Sequence, residues 1–285
     1  MRASRLQHRG FTLVEAAMVV VIVGLVAGMV YPAMLALRAS TQRAATETAL
    51  QGLARATAAF VTANGCVPCP TPGAVSGPEF GRVPLDSQGL GLPCGACSSH
   101  QDWIKGRVPE GIPPFISLGL PASAARDGWG LWITMRVDPA LTGAFGVAPP
   151  FTPCTTADVT AHICATVGGS TKGLCKSGLS KTGAPTVQLS DSTQQSVPPP
   201  SAAVVFVSHG PNGYGAFLAS ALSNGLNGER LSFPEPSSAS EVCNADGNTS
   251  FCDYPQGANF DDRLLYFDRN ALVSFLGQGA CSTTW

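Results

Sequence analysis

Charged side chains are scarce in this 285-residue chain. Lys, Arg, Asp and Glu together are 12% of the residues and the formal net charge is -1, whereas about a quarter of the residues is charged in an average soluble domain. The chain therefore lacks the basic surface that attracts nucleic acid or acidic lipid. It has only four histidines and no nucleophile elbow, which leaves little material for catalysis. We expect neither an enzyme nor a nucleic-acid-binding protein.

Glycine, proline and cysteine are abundant instead. The chain has 32 Gly and 23 Pro residues, which predicts many loops and few long regular elements. It also has ten cysteines, an even number that suits a disulfide-bonded, exported protein. The composition predicts a loop-rich domain held partly by crosslinks, in the periplasm or at the cell surface.

The N-terminal region has the charge pattern of a membrane anchor. Arg2, Arg5 and Arg9 precede an uncharged apolar stretch of 22 residues, Ala16–Leu37. As a helix this stretch is about 33 Å long, enough to cross a bilayer core of roughly 30 Å. Because the basic flank stays in the cytoplasm, we expect a single-pass inner-membrane protein whose remaining chain lies in the periplasm.

Two residues do not fit an ordinary secretory signal. The small residue Gly10 lies before the apolar stretch, whereas a signal-peptidase site follows it. Glu15 is an ionisable group at the edge of the span, where it costs a few kcal/mol and needs a partner. If the chain were cut after Gly10, the new amino group of Phe11 would lie one helical turn from Glu15. In an assembly, Glu15 of one subunit would instead neutralise the amino terminus of its neighbour.

The run from Arg9 to Glu15, Arg-Gly-Phe-Thr-Leu-Val-Glu, resembles the class III leader and methylation motif of type IV prepilins and type II secretion pseudopilins. The resemblance implies cleavage between Gly10 and Phe11 by a prepilin peptidase, N-methylation of Phe11, and use of Glu15 in subunit docking. Pro32 also falls where these families often place a helix-weakening residue. The alternative is an uncleaved signal anchor, which leaves the cost of Glu15 unexplained.

One long helix is expected from about Thr12 to about Ala63, ended by Asn64-Gly65. This divides the chain into a leader (1–10), a transmembrane and assembly half of the helix (11–37), an amphipathic half (38–64) and a globular head (65–285). The stripe of the helix expected to pack on the head consists of Leu37, Thr41, Ala45, Ala49, Leu53, Ala56, Phe60 and Ala63.

The head is expected to contain a few strands. Aromatic and β-branched residues predict strands at Trp129–Val137, Ala203–Val207 and Leu264–Phe267. Ala216–Leu222 is either a strand or a short helix, and Ala271–Leu276 is expected to be a short helix. Little regular structure is expected in 66–126 or 138–200.

Three further runs strengthen the resemblance. Asp127-Gly-Trp-Gly130 is similar to a turn that opens the sheet of many pseudopilins, and Ser208–Gly213 contains a Gly-Pro-Asn-Gly turn common in large pilin-like proteins. Asn244–Asn248 and Phe260–Asp262 resemble the end of such proteins. The fold class implied is α+β and pilin-like: a long N-terminal helix packed on an antiparallel sheet with long, disulfide-pinned loops.

The cysteines leave three interpretations open: a zinc site, disulfides, and free or mixed thiols. Redox catalysis by Cys66-x2-Cys69 is disfavoured, because Pro68 and Pro70 leave no helix N-terminus that would lower a thiol pKa. Cys66-x2-Cys69 and Cys94-x2-Cys97 have the spacing of a four-thiolate zinc site, but export favours disulfides, which we prefer. Cys243–Cys252 is the favoured pair because it flanks a turn, and Cys154 with Cys164 or Cys175 is a weaker one. The cysteines outside the two short motifs are all taken as structural, as candidate disulfide partners: Cys154, Cys164, Cys175, Cys243, Cys252 and Cys281.

A calcium loop is the other metal site considered. Asn244, Asp246, Asn248 and Asp253 place oxygen atoms at alternating positions. The pattern lacks the bidentate Glu at its twelfth place, so a polar turn is preferred and no cofactor is expected. His209 is interpreted as a turn histidine.

The function expected is that of a minor pilin-like subunit assembled through its N-terminal helix into a type IV pilus or its tip. A type II secretion pseudopilin is the first alternative. A membrane-anchored zinc- or DNA-binding exported protein is the second. The partners expected are other pilin or pseudopilin subunits, a prepilin peptidase and an inner-membrane assembly platform. The final location is then a pilus, a pseudopilus or the cell surface.

Overall fold

A computed structural model describes the chain in eleven segments: 13–64, 67–71, 80–83, 110–138, 163–167, 170–174, 185–189, 202–217, 242–246, 249–257 and 260–267. The chain divides into two compact units, residues 1–44 and 45–285.

Helix α1 runs from Leu13 to Asn64, which confirms the long helix expected from the sequence. Its second half, residues 38–64, contains nine Ala among 27 residues, and Ala has the highest helix propensity. The side-chain amide of Asn64 donates to the Phe60 carbonyl in the last turn. Near the N-terminus the helix is long and apolar enough to cross a membrane by length and composition.

The buried face of α1 differs from the predicted stripe. It consists of Thr46, Leu50, Leu53, Ala54, Thr57, Ala58 and Val61, at the spacing of three to four residues that places side chains on one helix face. Ala45 and Ala63, both in the predicted stripe, are exposed. The prediction followed small residues and is wrong by about one position, because the larger Leu50 and Val61 contribute more apolar area to the core.

The strands, in chain order, are β1 (Glu110–Gly111), β2 (Thr134–Val137), β3 (Ile163–Val167), β4 (Ser170–Leu174), β5 (Thr186–Gln188), β6 (Val204–Ser208), β7 (Ser250–Cys252) and β8 (Arg263–Phe267). The main sheet is antiparallel with the order β1-β2-β6-β8. Two further pairs form, β3–β4 antiparallel and β5–β7 parallel.

Three predicted strands therefore form, with shifted ends. The strand predicted from Trp129 begins only at Thr134, because the preceding residues form a turn. Ala216 and Phe217 follow a turn, and Phe217 forms a β-bridge. The rest of 216–222 lies outside the described residues, as does the helix predicted at 271–276. Strands β3, β4 and β5 lie in 138–200, where no periodicity indicated them.

Both faces of the main sheet are covered. On one face Met135, Val137 and Phe206 pack with Leu50 and Leu53 of α1. On the opposite face a second cluster joins the sheet to the β5–β7 pair, with members Val187, Ala202, Val205, Val207 and Phe251. The pilin-like α+β arrangement of one long helix and an antiparallel sheet is confirmed, and the parallel pair on the far face is an addition that the sequence did not indicate.

Candidate functional site

The first part of α1 presents apolar side chains on all sides. Residues 13–37 are exposed throughout, and the exposed fraction of Leu13 reaches 88%. Apolar area of this extent marks a surface that contacts lipid or another protein. The segment is thus suited to a bilayer and to packing against similar helices.

Glu15 lies in the first turn of this segment and is exposed. A carboxylate there is favoured by the positive end of the helix dipole. Gly10 and Phe11, the residues expected to flank the cleavage site, lie outside the described residues. Pro32 lies inside the helix, where it removes one backbone hydrogen bond.

In the head, the Asp127 carboxylate organises the turn before β2. Its Oδ1 accepts hydrogen bonds from the backbone N–H groups of Trp129 at 3.0 Å and Leu131 at 2.9 Å, and Gly130 adopts a φ of +85°. Its Oδ2 accepts a hydrogen bond from the Ser208 hydroxyl at 2.8 Å. Burial raises the pKa of Asp127, and these hydrogen bonds oppose the rise. The turn is therefore bonded directly to the end of β6.

The same turn also bonds to the helix. The backbone N–H of Gly128 donates to the Thr46 hydroxyl at 3.0 Å, at the start of the buried face of α1. One residue further, Glu47 pairs with Arg263 of β8 at 3.5 Å, with both side chains nearly half exposed. The turn that resembles the pseudopilin motif thus holds the helix against the sheet.

His209 lies between β6 and the expected turn, and its carbonyl accepts a hydrogen bond from the Gly213 N–H at 3.1 Å. Its side chain is fully buried, which the sequence did not indicate. Its Nε2 lies 2.8 Å from the Thr134 hydroxyl. Burial lowers the pKa of His209 to about 4, against a backbone hydrogen bond to Tyr214 that raises it. The neighbouring Ser208 hydroxyl donates to Asp127. Ser208 and His209 are both fully buried, so a substrate cannot reach either side chain.

The turn after His209 packs on the residues before β8. Gly210 has a φ of +61°, and a Cβ at this position would lie 2.7 Å from the Asp261 carbonyl oxygen. Asp261 Oδ2 also accepts a longer hydrogen bond from the Asn212 backbone N–H. The close approach of the two segments therefore requires glycine at position 210.

Asn244 is buried and is fully engaged in hydrogen bonds. Its side-chain amide donates to the Cys252 carbonyl at 3.0 Å and to Asp262 Oδ2 at 2.8 Å, and its Oδ1 accepts the Cys252 N–H at 2.8 Å. These bonds favour the polar-turn interpretation over a calcium ligand at this position.

The other three residues of the calcium hypothesis are Asp246, Asn248 and Asp253. Asp246 is exposed, and Asn248 lies outside the described residues. Asp253 is half-buried, and burial raises its pKa while the charge of Arg263 opposes the rise. In the described part of the chain, no group of three or more His, Cys, Asp or Glu side chains is arranged to hold a metal ion.

The favoured disulfide is confirmed: Cys243 and Cys252 are bonded, with their Cα atoms 5.9 Å apart. Cys69 is also disulfide-bonded, and a sulfur in a disulfide is not the thiolate that zinc requires. Cys164 lies in β3.

The other cysteines fall outside the segments that the structure describes, so a disulfide role for them stays a prediction from the sequence. They are Cys66, Cys94, Cys97, Cys154, Cys175 and Cys281. Cys281 had no favoured partner in the sequence analysis, and it lies in the C-terminal part of the chain beyond β8, the last described strand.

A buried ion pair lies under the β5–β7 layer. Arg136 of β2 donates to Glu110 of β1 at 2.8 Å, and both side chains are buried. Burial lowers the pKa of Arg136 to about 9, and the charge of Asp246 acts in the opposite direction. The guanidinium lies 5.9 Å from the centre of the Phe251 ring. No sequence pattern predicted this pair, although an arginine between Met135 and Val137 in an apolar strand was a hint.

The runs that resemble pilin-like proteins therefore meet in space, although they are far apart in the sequence. Asp127 bonds to Ser208, Gly210 packs on Asp261, and Asn244 bonds to Asp262. These contacts join the turn before β2, the end of β6, the residues before β8 and the disulfide-bonded segment.

The chain was compared with known proteins. Neither a curated protein nor a solved structure matches it. Residues 5–31 match the family model of the prokaryotic N-terminal methylation motif, a range that includes Gly10, Phe11 and Glu15. This protein thus carries the prepilin-type cleavage and methylation motif of type IV pilins and pseudopilins.

Proposed function

We propose that this protein is a structural subunit, a minor pilin, that polymerises through its N-terminal helix into a type IV pilus or its tip. The observation that carries the proposal is the exposed apolar segment of α1, residues 13–37, which has a single carboxylate, Glu15, in its first turn. Residues 13–31 of this segment lie within the matched motif. No substrate is turned over.

The physical basis of assembly is an exchange of contacts. Before assembly the apolar segment is surrounded by lipid, and in the filament it packs against the helices of neighbouring subunits. A charged carboxylate within a membrane span costs about 3 kcal/mol unless it has a partner. The amino group of Phe11 in a neighbouring subunit supplies that partner, so Glu15 sets the register between subunits.

The proposal includes a route to the filament. A prepilin peptidase cleaves between Gly10 and Phe11 and methylates Phe11, while the apolar segment holds the subunit in the inner membrane. The head, residues 65–285, then lies in the periplasm, where its disulfides persist. An inner-membrane platform adds the subunit to the growing filament.

Processing is tested by co-expression with a prepilin peptidase and mass spectrometry of the N-terminal peptide. We expect a product that begins at N-methylated Phe11 when the peptidase is active. An intact N-terminus at Met1 in membranes that contain active peptidase would contradict the proposal.

Docking is tested with two substitutions in the same helix. Glu15→Gln removes the charge in the membrane segment, and Glu47→Gln removes an exposed charge that pairs with Arg263. We expect both variants to be processed, but only Glu47→Gln to appear in sheared filaments at the wild-type level. Equal incorporation of the two variants would rule out a docking role for Glu15.

A type II secretion pseudopilin is the second candidate, favoured by the Asp127–Gly130 turn that joins helix and sheet. The two assignments differ in the neighbours of the subunit. Cysteine crosslinking in the apolar segment of α1, followed by identification of the partner, should recover pilus subunits. Recovery of pseudopilus subunits alone would favour the second candidate.

A further inference from the structure

Two arginines follow the apolar segment of α1. Between Glu15 and Glu47 the only charged residues of the chain are Arg38 and Arg43, and both are exposed. The net charge of the whole chain is -1, which excludes an extended basic surface but not a short basic section of one helix. We call Arg38 and Arg43 the basic collar, because residues five positions apart lie about 140° apart around a helix axis.

The collar is not neutralised by carboxylates of the same chain. Glu47 lies one helical turn after Arg43, at the spacing that favours an ion pair. It pairs instead with Arg263 at 3.5 Å and accepts a hydrogen bond from Gln51 at 3.0 Å. In the described part of the chain, neither guanidinium of the collar takes part in a salt bridge. Both can therefore bind an anionic partner outside the chain.

Helix geometry places the collar at the level of the lipid headgroups. Arg38 follows Glu15 by 23 positions, which is about 35 Å along a straight helix and about 32 Å along the bilayer normal at a tilt of about 20°. With Glu15 at one edge of a hydrocarbon core of roughly 30 Å, Arg38 lies just beyond the other edge. Arg43 lies about 7 Å further out. Because helix side chains lean towards the N-terminus, its guanidinium also points back to the headgroups.

We propose that the basic collar binds the phosphate groups of anionic phospholipids in the outer leaflet of the inner membrane. Guanidinium and phosphate form charge-assisted hydrogen bonds. Lys and Arg normally concentrate on the cytoplasmic side of a membrane span, so two arginines at its outer end need an explanation, and an anionic headgroup supplies one. The inference rests on the membrane orientation given in the proposed function and names a lipid partner for the same helix.

Processing makes the collar the main electrostatic contact with lipid. The leader carries Arg2, Arg5 and Arg9 at the inner leaflet, and cleavage after Gly10 removes all three. The new amino group and the Glu15 carboxylate then have opposite charges and cancel. The electrostatic attachment of the subunit therefore moves to the outer leaflet, on the side of the head. Entry into a filament requires the release of these lipids.

Peptide-resolved photocrosslinking tests the contact in the full-length protein. The protein is reconstituted in phosphatidylcholine vesicles that contain a trace of phosphatidylglycerol with a photoreactive headgroup, and the yield of lipid adduct on residues 38–46 is measured. One arginine near anionic lipid changes the local association about fivefold. Either single substitution, Arg38→Gln or Arg43→Gln, should therefore lower the yield about fivefold, and the double variant at least tenfold. An unchanged yield in the double variant would overturn the proposal.

Arg55→Gln is the matched control. Arg55 is an exposed arginine of the same helix, about 25 Å beyond Arg38 and out of reach of the headgroups. Its substitution removes the same charge and should change the yield less than twofold. An equal loss in Arg55→Gln would show a general effect of charge and would overturn the proposal.

A neutral lipid provides the second control. Photoreactive phosphatidylcholine should label residues 38–46 equally in the wild type and in the double variant. A parallel fall with this lipid would show that the helix has moved in the membrane, and it would contradict a contact specific to anionic headgroups.

The outcome is separate from that of the proposed function. The vesicles contain the same lipids in both leaflets, so the measurement requires neither processing nor assembly nor one orientation. Normal labelling of a protein that a prepilin peptidase does not process would support the collar and contradict only the proposed function. If the double variant is labelled like the wild type but is lost from filaments, the arginines contact a neighbouring subunit, and the lipid proposal is overturned.

Discussion

Acidification should destabilise the head through His209. The folded protein holds this imidazole neutral, with a pKa of about 4, because it is fully buried, whereas the unfolded chain protonates it with the ordinary value of about 6.5. Between these values the unfolded state binds more protons than the folded state. The stability that His209 contributes is therefore fully present above pH 6.5 and is lost as the pH falls towards 4.

The size of the loss follows from the difference in pKa. One unit corresponds to 1.36 kcal/mol, so a change from 6.5 to about 4 gives a total of about 3 kcal/mol, of which about 2 kcal/mol is already lost at pH 5. Burial of Asp127 raises its pKa, so this carboxyl acts in the opposite direction, as does Asp253. The contributions of Asp127 and Asp253 cancel when the wild type is compared with a variant that lacks only His209.

His209→Gln provides that comparison, because an amide can still bond to the Thr134 hydroxyl but does not titrate in this range. Urea unfolding of the full-length protein in detergent, followed by tryptophan fluorescence, would be measured from pH 7.5 to 4.5. We expect the stability difference between wild type and variant to shrink by about 2 kcal/mol between pH 7 and pH 5. A difference that is constant with pH would refute the assignment of a buried, neutral imidazole.

Three further predictions concern the contacts of the head and use the same unfolding assay. Asp127→Ala should cost about 3–5 kcal/mol, because it leaves several buried donors without an acceptor. In a double-mutant cycle with Ser208→Ala the two costs should be coupled by about 1–2 kcal/mol, and strict additivity would contradict the contact. Glu110→Ala should cost about 3 kcal/mol by leaving a buried arginine without its carboxylate. Glu47→Ala, in an exposed pair, should cost less than about 1 kcal/mol, so similar costs for the two would argue against burial. Thr46→Val should cost about 1 kcal/mol by removing one hydrogen-bond acceptor, and an unchanged urea midpoint would count against that bond.

The elements with strong local signals were predicted well. The length of α1 followed from the apolar run up to Leu37, the spacing of three to four residues in 37–63, and the stop signal at Asn64-Gly65. The strands at 204–208 and 263–267 followed from short runs of β-branched and aromatic residues. The Cys243–Cys252 bond followed from two cysteines on either side of a turn.

The contacts between distant parts of the chain could not be predicted. Nothing local indicates that Asp127 bonds to Ser208, 81 positions later, or that β5 pairs with β7. The rotation of the buried helix face was also wrong, because Ala and Thr occur on all sides of α1 and only Leu50, Leu53 and Val61 distinguish the core face. The local sequence pattern determines where helices and strands form. The packing between them determines which polar groups are buried.

The parallel pairing of β5 with β7 implies an order of folding. Thr186 and Ser250 are 64 positions apart, and β6 of the main sheet lies between them in the chain. Closing so long a loop has a large entropic cost until the main sheet offers an apolar surface to pack on. We expect the β5–β7 pair to form last. The Arg136 side chain then stays hydrated until Phe251 packs over it. Pulsed hydrogen exchange during refolding should show β2 and β6 protected before β5 and β7, and simultaneous protection would contradict this order.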